Sequence, residues 1–214
     1  MEDTDLAASD VLRSRAKRLY LRARDYGLRS LEVKHPEFAK QLRADPKSAV
    51  KTARVSDVPS LYWTAAAWGA AISISKDDPA LVSDQLIVEA LIDRALELDE
   101  DFYRGAIHGF LISYEMARQG VAGDPAARAR QHFERAMELS NGTLASPLLS
   151  LAESVALQNQ NREEFTSLLN RALAVDADAV PESRLQNLVV QRRARWLLSR
   201  IDELFLDGAK DDSR

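Results

Sequence analysis

The chain of 214 residues has no cysteine, eight glycines, seven prolines and three histidines. Without cysteine it forms no disulfide, thiolate zinc site, iron–sulfur cluster or cysteine nucleophile. Eight glycines and seven prolines are few for an all-β protein, which depends on these residues for its tight turns. No apolar run is long enough to span a bilayer, and the N-terminal sequence lacks the basic and apolar regions of a signal peptide. The chain is therefore either cytosolic or a form from which an export segment has been removed.

Motifs of enzymes and metal sites are missing as well. The sequence contains no H-E-x-x-H, no G-x-S-x-G and no glycine-rich phosphate loop. His35, His108 and His132 lie in separate predicted elements without metal-ligand spacing. Because His108 lies within an apolar stretch, we interpret it as a hydrogen-bonded core residue. We predict a protein that is not an enzyme and holds no cofactor or metal, with a site assembled from dispersed residues as the weaker alternative.

The composition is that of a soluble globular domain, with 46% hydrophobic and 29% charged residues. The net charge of −4 does not favour nucleic acid as a partner. Positive charge is concentrated in the predicted first helix, Thr4–Val33, where we expect the arginines to form a solvated face. In the predicted last helix, Arg192 and Arg193 have three interpretations: a phosphate patch, partners of acidic neighbours, or the rim of a pocket for an anion.

Two central segments predict a helix pair. Val58–Ser75 begins with Pro59 in the first turn and is apolar on every side, which is typical of a buried helix. Leu86–Asp101 is amphipathic and would pack its apolar side against the first helix. No strand pattern is present anywhere, so the sequence predicts an all-α protein.

A repeated phrase extends this pair along the chain. DRALELD, ERAMELS and NRALAVD share the alanines Ala95, Ala136 and Ala172, which are 41 and 36 residues apart. This period predicts a helical solenoid of irregular tetratricopeptide (TPR)-like pairs. Gly69 is expected at the first crossing, near Ala95, and the long distance between the two predicts an insertion around Ser75–Val88. We divide this single domain into an N-terminal helical cap (1–57), a TPR-like array (58–206) and a polar tail (207–214).

The first helices of the pairs would line the concave face of such a stack. Taking Gly69, Gly109 and Ala152 as equivalent positions gives a mostly apolar and aromatic wall with a few hydroxyls. Such a wall suits a small organic ligand or an apolar partner segment. Aromatic residues at helical spacing are, however, more often ordinary core residues. A generic TPR adaptor that holds a partner's peptide is the alternative function.

Most of the chain also resembles a known family. The runs VPSLYWTAAAWGAAISISKDD, VEALIDRALELDEDF, GAIHGFLISYE, HFERAMELS and QRRARWLLSRIDELFL closely resemble the T component associated with tripartite ATP-independent periplasmic (TRAP) transporters. The resemblance covers Tyr20 to Leu206. It implies a homotrimeric, periplasmic lipoprotein of TPR-like helix pairs that docks the substrate-binding P component. It also implies an internal cleft for a small hydrophobic or organic-acid ligand. Because the export signal and the lipidated cysteine are absent, we expect a trimmed form.

The predicted ligand site joins aromatic rings to a cation. The rings would surround the apolar body of an organic acid, while a cation at the mouth would hold its carboxylate. The predicted residues are Tyr62, Trp63, Trp68, Tyr103, Phe110 and Tyr114 for the rings, and Lys76, Arg192 or Arg195 for the cation.

Overall fold

The computed structural model describes residues 5–118 and 120–206, and within these ranges every regular element is helical. The all-α prediction is confirmed, whereas the predicted polar tail 207–214 lies outside the described residues. The helices are α1 (Leu6–Lys34), α2 (Phe38–Ala44), α3 (Pro46–Ala49), α4 (Val58–Ser73), α5 (Pro79–Val82), α6 (Gln85–Leu98), α7 (Ala106–Tyr114), α8 (Pro125–Leu139), α9 (Ser146–Leu151), α10 (Arg162–Ala174), α11 (Arg184–Ser199) and α12 (Ile201–Leu204). Single 3₁₀ turns occupy Val50–Thr52, Val55–Asp57 and Pro181–Ser183, and a π-helical turn follows α9 at Ala152–Ala156.

The chain forms two compact units that divide between Phe102 and Tyr103. The predicted cap 1–57 and the first predicted helix pair therefore belong to the same unit. In unit 1 (residues 1–102), α4 packs against α1 on one side and α6 on the other, which explains why it is apolar all round. Lys34 bonds Asp57, just before α4, and Lys17 bonds Asp78, just after it, so α1 and α4 run antiparallel. The segment assigned as an insertion contains α5.

Trp68 lies in the core of unit 1 and is contacted there by polar and charged side chains. Its ring is 1% exposed, and its indole N–H donates to the Asp84 carboxylate at 3.2 Å. The guanidinium groups of Arg24 and Arg43 lie over the ring at 4.8 and 5.7 Å from its centre. Arg43 also donates to Asp84 at 3.5 Å. These contacts tie α1, α2 and α4 to the turn before α6.

Unit 2 (residues 103–214) packs α7 against α8, α9 against α10, and α10 against α11. The mostly apolar run 102–118 predicts one helix, but α7 begins only at Ala106, because Tyr103, Arg104 and Gly105 have left-handed backbone with φ of 44°, 58° and 83°. It ends at Tyr114, and turns follow. The predicted last helix, 182–206, is also interrupted, because Arg200 leaves helical geometry between α11 and α12.

The three repeat alanines are fully buried on the second helices of their pairs. Ala136 lies opposite Gly105, where an added Cβ would come within 3.3 Å of the Ala136 Cα. The sequence predicts Gly109 at this crossing, but a Cβ added to Gly109 would have no atom within 4 Å. The close approach of α7 and α8 is thus one helical turn earlier than expected. The TPR-like solenoid and the Gly69 crossing stay predictions.

Candidate functional site

An apolar groove runs between α1 and α4 in unit 1. α1 and α6 cover two sides of α4. A third side, next to α1, is open to solvent, and Trp63 on this side is 57% exposed. The groove is open to solvent and has a volume of about 730 Å³. It is lined by Tyr20, Ala23, Tyr26 and Gly27 from α1 and by Pro59, Ser60, Trp63, Ala66 and Ala67 from α4. Two tyrosines and a tryptophan around small side chains give it a surface on which an apolar or aromatic group can pack.

A second, polar hollow follows the same two helices toward the C-terminal end of α4. Its volume is about 690 Å³, and its lining includes three cations, Arg13, Lys17 and Lys76. Asp10 and Asp77 also line it, and Lys17 donates to Asp78 at 3.0 Å. Helical spacing places Trp63, Ala66 and Ser73 along one side of α4, so the hollow and the groove lie on the same side of unit 1. An amphipathic anion could therefore contact aromatic rings with one end and a cation with the other.

The four predicted site residues in unit 1 have different surroundings. Trp63 lines the apolar groove and Lys76 lines the polar hollow. Tyr62 packs edge-on against Trp63, with ring centres 5.0 Å apart, and against Phe102 at 5.3 Å. Burial raises the pKa of the Tyr62 hydroxyl above its ordinary value. Trp68 does not line either hollow, because its ring is enclosed in the core by Arg24, Arg43 and Asp84.

The other five predicted residues lie in unit 2. Phe110 and Tyr114 are half-buried and stacked, with ring centres 5.2 Å apart, whereas Tyr103 is mostly exposed in the left-handed turn before α7. Arg192 and Arg195 are exposed on α11. Their neighbour Arg193 instead donates to Glu153 at 2.8 Å, which fits the interpretation of that arginine as a partner of an acidic helix.

Sequence reasoning missed the contribution of α1 to the groove. Tyr20, Ala23 and Gly27 are spaced by three and four residues and so share one side of a helix. That pattern is present in the sequence, but the many surrounding arginines indicate a charged, solvated helix. Tyr20 and Tyr26, with Gly27 beside them, are the residues from which the groove side of α1 could have been predicted.

Unit 2 contains a buried polar cluster between α7 and α8. His108 is buried, and its Nδ1 lies 2.8 Å from the Nδ1 of His132, so it is the hydrogen-bonded core residue predicted from the sequence. Burial and the neighbouring His108 lower the pKa of His132. Glu115 is buried nearby, and although burial opposes its charge, Arg128 and Arg118 hold its pKa below the ordinary value. One carboxylate thus pairs with two guanidinium groups, and Arg128 Nη2 is buried there without a hydrogen-bond partner.

Within residues 5–118 and 120–206, no three histidine, aspartate or glutamate side chains are grouped so that they could hold a metal ion. A third hollow, between α8 and α10, has a volume of about 230 Å³. Arg130 and Glu164 close one side of it through an ion pair, with Nη2 donating at 2.9 Å. The two hollows between α1 and α4 are therefore larger than this third one. Of the three hollows, the apolar groove alone is lined by more than one aromatic ring.

Comparison with known proteins decides the family. The family described as TRAP transporter T-component matches residues 1–205, which is nearly the whole chain. The chain belongs to this family of TRAP transporter T-components. The resemblance noted in the sequence is thereby confirmed.

A protein of Treponema pallidum (strain Nichols), described as an uncharacterized protein, is 28% identical to the chain over 212 residues. The alignment covers 97% of this T-component, which spans only 65% of the length of that relative. In the part of the T-component that the structure describes, no helix combines the length and apolar character needed to cross a membrane.

Proposed function

We propose that this T-component is a non-enzymatic binding protein that holds the apolar body of a small organic acid in the α1–α4 groove. One observation carries the proposal. Trp63, an aromatic side chain that folding would ordinarily bury, is 57% exposed at the floor of an apolar groove. Single exposed apolar residues are ordinary, whereas a contiguous apolar hollow lined by aromatic rings is typical of a binding site.

The charge distribution around the groove favours an anion over a neutral ligand. Lys17 is paired with Asp78 and Arg13 with Asp10, so Lys76 is the cation of the adjoining hollow that we expect to hold a carboxylate or sulfonate. Asp10 and Asp77 in the same lining would repel a second negative group, so a single acidic head is expected. Tyr103, Phe110, Tyr114, Arg192 and Arg195 remain candidates for a ligand site within unit 2.

We further propose, from membership of the family, that the T-component docks the periplasmic substrate-binding P component and acts as a homotrimer. The same membership supports a periplasmic location with a lipid anchor in the full-length form. An exposed stripe along α11 supports a subunit interface. Leu185 and Val189 are 76% and 61% exposed there, and helical spacing places them on one side with Trp196.

A generic peptide-binding adaptor is the second candidate. Its support is the openness of the α1–α4 groove, which could hold an extended or helical segment as well as a small molecule. The low content of hydrogen-bonding side chains in the groove argues against an extended peptide, which needs partners for its backbone.

Titration with 1-anilinonaphthalene-8-sulfonate tests the ligand proposal, because this probe joins aromatic rings to one anionic group. We expect its fluorescence to rise on binding, and Trp63→Ala and Lys76→Ala each to weaken binding. Trp196→Ala, which removes an exposed tryptophan from unit 2, is the matched control and should leave the affinity unchanged. Equal affinities for wild type, Trp63→Ala and Lys76→Ala would refute the assignment of the groove. Octanoate should compete with the probe, whereas octylamine should not.

A further inference from the structure

The outer face of α1 combines strong positive charge with exposed apolar side chains. Leu6–Lys34 contains eight lysines and arginines and three acidic residues, a net charge of +5 in a chain whose total is −4. The remaining residues therefore carry −9. Such separation of charge favours contact of α1 with an acidic surface, even though the protein as a whole is negative.

The apolar side chains of this face repeat every seven residues. Leu12, Leu19, Tyr26 and Val33 are 48%, 55%, 53% and 86% exposed. Between them lie the small residues Ala16, Ala23 and Ser30, four positions after each of the first three. Alternating spacing of three and four residues over three heptads is the pattern of a helix–helix seam, with the large side chains at d and the small ones at a. We call this set the α1 seam.

A row of arginines follows the seam in the same register. Arg15, Arg22 and Arg29 are also seven residues apart and occupy the g positions beside the seam. Arg22 and Arg29 lie over the Tyr26 ring, 5.6 and 4.3 Å from its centre, and Arg22 donates to the Tyr26 hydroxyl at 3.4 Å. Both cations are thus held on the seam. The two guanidinium groups lower the pKa of the Tyr26 hydroxyl, and Arg22 has the larger effect.

We propose that the α1 seam docks an amphipathic helix of an acidic partner protein. Apolar side chains of that helix would pack against Leu12, Leu19 and Tyr26, and its flanking glutamates or aspartates would pair with Arg15, Arg22 and Arg29. The small residues at a lie toward α4, because Ala23 lines the α1–α4 groove and Ser30 bonds Ser60 at 2.9 Å, so the docked helix would lie along the edge of that groove. The inference concerns a partner surface and does not depend on the ligand proposed for the groove.

A second copy of α1 is a poor occupant of the seam. In a parallel pair the arginines at g would face Tyr20, Gly27 and Lys34 at e, none of which is acidic. In an antiparallel pair arginine would face arginine. Like charges at these positions disfavour association, so two copies of the α1 seam should not pair with each other.

An anionic membrane is also a poorer fit than a helix. The apolar side chains form one narrow line with arginines directly beside it, whereas a helix that inserts into a lipid surface needs a broad apolar face. The seven-residue period of both rows matches a helical partner, and a lipid surface imposes no such period.

Designed peptides test the docking of an acidic helix on the full chain. The first is a four-heptad peptide with leucine at a and d and glutamate at e and g, so that its own charges oppose self-pairing. The second is identical except for lysine at e and g. Fluorescence anisotropy at low salt should show that the wild type binds the glutamate peptide and not the lysine peptide. Arg22→Glu/Arg29→Glu should weaken binding of the glutamate peptide by about tenfold or more and should acquire binding of the lysine peptide.

The control is Lys47→Glu/Lys51→Glu, which makes the same change of charge in unit 1 at exposed lysines outside α1. It should bind the glutamate peptide as the wild type does. Failure of the glutamate peptide to bind, equal binding of both peptides, or an equal loss in the control would overturn the proposal. So would binding to vesicles of equal parts phosphatidylcholine and phosphatidylglycerol in the absence of peptide binding. A failed peptide experiment with intact anilinonaphthalene sulfonate binding would leave the ligand groove standing.

Discussion

Gly27 of α1 lies directly against Thr64 of α4, and no side chain larger than hydrogen fits between them. A Cβ added to Gly27 would overlap the Thr64 hydroxyl and lie 3.1 Å from its Cβ and 3.4 Å from its Cα. Thr64 is fully buried, and its hydroxyl donates to the Ser60 carbonyl at 2.5 Å, so it has little room to turn away. This contact sets the spacing of the two helices that form the groove.

Gly27→Ala should destabilise the protein. Overpacking costs about 1–3 kcal/mol, which exceeds the gain of about 1 kcal/mol that alanine brings to a helix interior. Gly109→Ala in α7 is the matched control, because it has open space at its Cβ and should stabilise the protein by up to about 1 kcal/mol. Urea unfolding of both variants measures the difference. The same sign for the two changes would mean that α1 and α4 do not meet at Gly27.

Loss of the indole nitrogen should destabilise the protein at Trp68 of α4 but not at Trp63. Trp68→Phe removes a hydrogen bond to Asp84 and weakens the contacts of two guanidinium groups, so we expect a loss of about 1–3 kcal/mol. Trp63→Phe changes an exposed ring and should stay within about 0.5 kcal/mol of the wild type. The denaturant midpoints of the two variants, each compared with the wild type, measure these changes. Equal midpoints would contradict the assignment of Trp68 to the core and Trp63 to the groove.

Asp57 should make stability depend on acid. Its carboxylate is buried, which by itself would raise the pKa. Lys34 Nζ at 2.7 Å, the Arg54 N–H at 2.9 Å and His35 at 2.9 Å outweigh burial and lower the pKa from 3.8 to about 2. A pKa lowered by folding adds stability above pH 3.8, and that contribution is lost as the pH falls from 3.8 toward 2.

Asp57→Asn should therefore lower stability by about 1–2 kcal/mol at pH 6, and the difference from the wild type should shrink as the pH approaches 2. Thermal unfolding from pH 6 to pH 2 gives the curve. Asp101→Asn, an exposed aspartate of the same unit, is the control and should follow the wild type at each pH. A difference between Asp57→Asn and wild type that stays constant down to pH 2 would show that the charge of Asp57 contributes nothing.

The α11 stripe should govern assembly. Light scattering is expected to give a trimer for the wild type and a monomer for Leu185→Glu/Val189→Glu, because each change buries a charge in the proposed interface. Val55→Glu/Leu86→Glu introduces the same charges at exposed apolar positions of unit 1 and should remain trimeric. A monomeric wild type at micromolar concentration would remove the trimer from the account.

Much of this architecture could be predicted from the sequence. The absence of strand patterns and the apolar surface of α4 correctly indicated an all-α protein in which α4 packs against two other helices, although one side of α4 is open at Trp63. The start of α7 could not be predicted, because Phe102–Gly105 has a helical pattern of side chains, and only the backbone shows that Tyr103 and Arg104 are left-handed.

The groove was only partly predictable. Aromatic spacing on α4 identified Trp63 and Trp68 equally, since both lie on an apolar helix without a polar side to orient it. Which ring is buried depends on Arg24, Arg43 and Asp84, whose contacts with Trp68 are distant in sequence. The spacing of the α1 tyrosines is visible in the sequence, but their place in the groove follows from the packing of α1 beside α4.

The most direct test of the ligand groove follows the three indole N–H signals in a two-dimensional NMR spectrum of the 15N-labelled protein. Trp63 lines the groove, Trp68 is bonded to Asp84 in the core, and Trp196 lies in unit 2 beside Arg193 and Arg200. Single Trp→Phe variants assign the signals. During titration with 1-anilinonaphthalene-8-sulfonate, the Trp63 signal should shift progressively to saturation, while those of Trp68 and Trp196 should move little. A stationary Trp63 signal beside a shifting Trp196 signal would contradict the groove as the binding site.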